Sequence, residues 1–160
     1  HLGGVLKAAA EHKGSTFVEI YQNCPIFNDG AYTAITEKAV KADQLLRMEH
    51  GKPLLFGKDN KKGIRFDGRQ ARLEVVTVGE NGVTEADILV HDVTRDDPTI
   101  AFMLANLSLQ PGFPTPIGVL RDVRRPTADE LTWQQIDQAK AKGTASVEKL
   151  LASGDTWTIK

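Results

Sequence analysis

Cysteine is almost missing from the sequence. Cys24 stands alone among 160 residues, so no intrachain disulfide can form, which points to a reducing, cytoplasmic setting. A surplus of basic charge is missing too. Lys plus Arg number 20 against 21 Asp plus Glu, a formal net charge of -1, and this gives no reason to expect nucleic acid or an anionic membrane as partner. Apolar runs are short: Ile100–Ala105 is far below the length that crosses a bilayer, and no charged-apolar-small pattern opens the chain. Several catalytic signatures are absent as well. Glu49-His50 lacks the HExxH spacing for zinc, no serine or cysteine sits in an elbow motif, and Gly3-Gly4 lies inside a helical pattern rather than a phosphate loop.

What is present suits one ordinary domain with a real core, 41% hydrophobic and 26% charged. Leu2, Val5, Leu6, Ala9 and Ala10 recur at helical spacing until Lys13-Gly14. Thr16, Phe17, Val18, Ile20 and Tyr21 are the β-branched and aromatic types that fit a pleated surface. Asn23-Cys24-Pro25 ends this run, because Pro25 has no N–H for a ladder and biases Cys24 to an extended backbone. A helix feeding an apolar strand predicts an α/β unit with a mostly parallel sheet, in which ligands gather at the carboxyl ends of strands, where Cys24 falls. The chain begins at His1 with no initiator Met and no leading strand. It therefore reads as the C-terminal part of a longer protein, and a complete domain is the other reading.

Further along, residues 31–49 suggest a helix whose Lys38, Lys41 and Arg47 alternate with Glu37 and Asp43 on a solvated face. Leu54–Gly57 reads as a short strand, and Ile64–Asp67 with Leu73–Val78 as a hairpin around Gly68-Arg69-Gln70. Asp87–His91 and Ile117–Val123 read as strands. Asp97-Pro98 opens a helix with a buried stripe of Ile100, Met103, Leu104 and Leu107. Thr127 and Glu130 form a capping-box signature, and residues 139–151 read as a surface helix or docking arm anchored by Val147, Leu150 and Leu151.

On chemistry alone Cys24 is open between a small buried apolar group and a thiolate presented at a strand terminus. One cysteine does not complete a cluster, since iron–sulfur centres take about four thiolates. His12 and His50 lie near helix ends, where a cation complements the dipole. His91-Asp92 is a candidate acid–base pair without a nucleophile, and Arg121, Arg124 and Arg125 form a local basic patch. No residue is assigned a catalytic role, and none is assigned to an organic cofactor.

The stretch His12-Lys-Gly-Ser-Thr-Phe-Val-Glu-Ile-Tyr-Gln-Asn-Cys-Pro-Ile-Phe-Asn-Asp-Gly30 closely resembles the β subunit of 2-oxoacid:ferredoxin oxidoreductases of the two-subunit, 2-oxoglutarate type. Glu49–Gly57, Leu89–Asp92 and Pro116–Pro126 carry the resemblance along nearly the whole chain. It implies the C-terminal part of a thiamine diphosphate-binding α/β fold, residues 1–57, followed by a β-hairpin and helical extension, residues 58–160. The activity it implies is oxidative decarboxylation of a 2-oxoacid to its acyl-CoA and CO2. Electrons would pass through a 4Fe-4S cluster to ferredoxin, in a heterodimer with an α subunit. Cys24 matches the family's Cys-Pro-x-Phe-Asn motif and so is implied as one cluster ligand. The Gly-Asp-Gly motif that holds magnesium and the cofactor pyrophosphate in the family does not occur here, nor do three further cysteines. Those sites are expected outside this segment. The rival expectation is a non-catalytic interaction module derived from the fold, and pyruvate or a branched 2-oxoacid is the alternative substrate.

Overall fold

The structure, a computed structural model, describes residues 1–143, 146–155 and 157–159. Its centre is an antiparallel hairpin of β3 (Lys62–Asp67) and β4 (Arg72–Thr77), reached through helices α1 (Leu2–Glu11), α2 (Thr33–Thr36) and α3 (Lys41–Gln44) and strands β1 (Leu45–Arg47) and β2 (Leu55–Phe56). Pairing runs from Lys62 opposite Thr77 to Asp67 opposite Arg72, as the alternating apolar pattern predicts. Ile64 and Leu73 face the core, while Arg65 Nε donates to Glu74 Oε1 across the strands at 2.7 Å. β2 adds to the free edge of β3.

A second, parallel ladder joins β1 to β5 (Thr115–Ile117). The architecture is thus α/β, with a parallel pair beside an antiparallel sheet. Helix α4 (Thr99–Ala105) packs its expected stripe inward: Leu104 is fully buried, and Ile100 and Met103 lie against the same core, while Leu107, expected in the stripe, is buried in the 3-10 turn just after the helix. Asp97 Oδ1 accepts from the Thr99 N–H at 2.7 Å, one residue ahead of the formal cap at Pro98.

Four expectations differ from the structure. Residues 16–21 run extended, but no ladder among the described residues includes them, and Phe17 is 89% exposed. β-branched and aromatic side chains suit a pleated surface but do not supply the partner strand. Residues 31–49 form no single helix. They break into α2, α3 and β1, and the buried Leu46 and Met48 flanking exposed Arg47 show a two-residue period, that of a strand. Residues 85–87 form a 3-10 turn capped by Thr84, and 88–91 run extended with one bridge from Val90 to Pro53. Pro53 has no N–H to extend that ladder. The last strand ends at Ile117 because Gly118 turns to φ +132.

The described chain divides into two compact units, His1–Arg124 and Arg125–Lys160. The second holds α5 (Ala128–Ala141) and α6 (Val147–Leu151). The capping box ahead of α5 forms as expected: the Glu130 N–H donates to Thr127 Oγ1, and the Thr127 N–H to Glu130 Oε2. Of the tail predicted as helix over 139–151, Thr144 and Ala145 lie outside the described residues.

Candidate functional site

The Cys24 segment is a closed loop with its own clasp. Tyr21 and Tyr32 stack at its base with centroids 5.2 Å apart. Asn23 then holds both sides together: its Nδ2 donates to Asp29 Oδ1, and its Oδ1 accepts from the Gly30 N–H, each at 2.9 Å. Asn23 is a short polar side chain of the kind that binds nearby backbone in turns. Gly30 takes φ +74, a conformation open to glycine, and its carbonyl accepts from Thr33 Oγ1.

Inside the clasp, Pro25 starts a tight turn in which the Asn28 N–H donates to the Cys24 carbonyl at 2.9 Å. That turn aims backbone N–H groups at the sulfur. Hydrogen bonds from Phe27 first, then Ile26 and Asn28, hold the Cys24 thiol below its ordinary range. This is a small nest of N–H groups around a partly buried sulfur, a setting that favours negative charge there. The side chains of Ile26 and Phe27 face outward, 84% and 89% exposed.

Cys24 is a soft donor in a setting that stabilises negative charge on sulfur, which fits one corner of an iron–sulfur cluster. Among the described residues no three His, Cys, Asp or Glu side chains converge on one point, so a cluster would need ligands from elsewhere. The same observation, with no Gly-Asp-Gly in the sequence, means that these residues do not fit a magnesium ion and the cofactor it would hold.

His12 lies at a helix end as the sequence suggests, whereas His50 and His91 fall otherwise. His91 is buried and its Nε2 donates to the Val119 carbonyl at 2.7 Å, so it does not pair with Asp92. Asp92 instead accepts from the Thr94 hydroxyl and N–H, which keep its carboxyl below the usual range. His50 Nδ1 accepts from the Val93 N–H, leaving Asp92 at 3.6 Å without the shared proton. His12 caps the end of α1, and its Nδ1 donates to Asp122 Oδ1 at 2.7 Å. That link ties α1 to the 116–122 segment, and nothing in the spacing of a histidine and an aspartate so far apart announces it. Arg121 donates to the Asp96 carbonyl rather than standing free. Asn23, also missed as a positioning residue, was legible through its distance from Asp29-Gly30.

No protein-family model matches the chain, and no solved structure matches it. Among curated proteins, 2-oxoglutarate oxidoreductase subunit KorB of Mycobacterium tuberculosis is 38% identical over 158 residues. The match takes in 97% of this chain, which spans 41% of the length of that relative. The resemblance carried by the Cys-Pro-Ile-Phe-Asn loop and its companion motifs therefore holds along almost the whole chain, which is similar throughout to part of a 2-oxoglutarate oxidoreductase subunit.

Proposed function

We propose that the chain is part of the β subunit of a 2-oxoglutarate:ferredoxin oxidoreductase and that Cys24 is one ligand of its 4Fe-4S cluster. The similarity over 158 residues carries this reading. The Cys24 loop supports it, since its N–H groups lower the cost of negative charge on the sulfur. In the proposed reaction 2-oxoglutarate loses CO2, its acyl group passes to coenzyme A, and two electrons leave one at a time for ferredoxin. An α subunit completes the heterodimer, and thiamine diphosphate with magnesium is bound by residues outside this segment. The part this chain plays is to hold an iron through Cys24 in a preset loop, so that the ligand needs little rearrangement.

Cys24→Ser in the full-length subunit with its partner tests the assignment. A serine hydroxyl stays protonated near neutral pH and is a poorer match for iron. The variant is expected to lose most of its iron and brown visible absorbance, together with ferredoxin-linked turnover. Iron analysis of purified wild type and variant decides it, and unchanged iron per heterodimer would sink the ligand role.

A further inference from the structure

Breaking the expected helix over residues 31–49 brings its basic residues to one place. Lys38, just ahead of α3, Lys41 in α3 and Arg47 in β1 all line a cleft of about 420 Å³. Leu45, Leu55 and Phe56 form its apolar lining, with Gly57 and Asn60 at the rim. No carboxylate lines it. Nearby, Asp43 is taken by Lys62 at 2.8 Å, and Glu49 is bound by Lys52. The side chains of Lys38 and Lys41 have no ion pair or hydrogen bond among the described residues. The wall is fixed, because the Gly57 N–H donates to the Ala42 carbonyl at 2.8 Å and joins α3 to the end of β2.

Exposed lysines are usually just solvated. Here three cations face one concavity with no carboxylate in its lining, and the concavity has the size of a small-molecule site. An arginine fork beside two lysine point charges matches phosphate oxygens, and a ligand needs about two or more negative charges to balance them. We infer that this cleft binds a phosphorylated small molecule, with Lys38, Lys41 and Arg47 on its phosphates and the Leu45/Leu55 surface against its less polar part. A diphosphate or nucleoside diphosphate meets these requirements, whereas a flat protein face does not enter a concave site.

Calorimetric titration of the full-length protein at low salt tests this with inorganic pyrophosphate and with ADP. Thiamine diphosphate and magnesium are kept saturating, so that the proposed cofactor site is already filled. Saturable binding that weakens as salt rises is expected. Lys38→Gln, Lys41→Gln and Arg47→Gln together are expected to lower affinity by about tenfold or more, because charge-assisted hydrogen bonds are lost. Lys38→Glu alone, at an exposed position, is expected to weaken binding while leaving the fold intact by circular dichroism. Tighter binding of ADP than of pyrophosphate places the nucleoside on the apolar wall, and equal binding means that phosphate alone is read; both support the site. Absence of binding at low salt, or equal affinity in wild type and variants, overturns it, as does binding of only an acidic protein. Iron content is expected to be unchanged in these variants, which separates this site from the role of Cys24.

Discussion

Gly118 shows how much one backbone position decides. It lies at φ +132, and a Cβ built there would be 2.6 Å from the Met48 carbonyl oxygen, which belongs to backbone and has no side-chain freedom to move aside. Gly118→Ala is expected to cost about 1–3 kcal/mol or more, from left-handed strain plus the clash. Gly4 is the opposite case: it lies in α1 with open space around it, so Gly4→Ala is expected to stabilise by about 0.5–1 kcal/mol. Chemical denaturation of the two variants checks both, and midpoints moving the same way would contradict this account. The sequence marked neither glycine for this contrast, since the strain at Gly118 depends on where Met48 folds back.

At the scale of elements, α4 gives the clearest measure. Leu104 has no exposed surface, and Leu104→Ala is expected to cost about 2–5 kcal/mol by lost burial and a residual cavity. Asp97 acts at the other end of the helix. The Thr99 hydroxyl and N–H hold its carboxyl below the usual range, so ionised Asp97 favours the fold. That stabilisation is present above the unfolded-state pKa and is lost as pH falls through the depressed folded value. The stability gap between wild type and Asp97→Asn, followed by denaturation across acid pH, is expected to be largest near neutrality and to close in acid. An unchanging gap would show that the charge is irrelevant. This helix, the β3–β4 hairpin and the Thr127 capping box were legible because their signals are local: a period, a turn and a cap. The strand expected at residues 16–21 and the helix expected over 31–49 were not, because Thr16–Tyr21 needs a partner strand and β1 is fixed by distant β5. At the site, Cys24 and Pro25 were readable as a loop signal. The N–H groups converging on sulfur were not, being a product of the folded turn.

Many large apolar side chains stand exposed across the described residues. Phe17, Ile26 and Phe27 are nearly fully exposed around the Cys24 loop, and an exposed cluster of this kind marks a surface that meets other protein. With no Gly-Asp-Gly motif and no convergent group of metal-ligating side chains among the described residues, the 160-residue chain alone is expected to bind thiamine diphosphate no better with magnesium than without it in calorimetric titration. Saturable binding at micromolar concentration that requires magnesium would place the pyrophosphate site among these residues. No described helix is long and apolar enough to cross a membrane.

The parallel β1–β5 pair also dictates an order of assembly. β3 and β4 close through a tight turn, so their ladder forms as soon as Thr77 has left the ribosome. Leu46, buried completely in the final fold, pairs with Pro116 across the whole intervening chain. Closing so long a loop is entropically slow, so during synthesis β1 waits with Leu46 and Met48 uncovered until the Pro116 segment emerges. The nascent chain therefore passes through a stage with a formed hairpin and an open, sticky strand, and it is at this stage that a chaperone has something to hold.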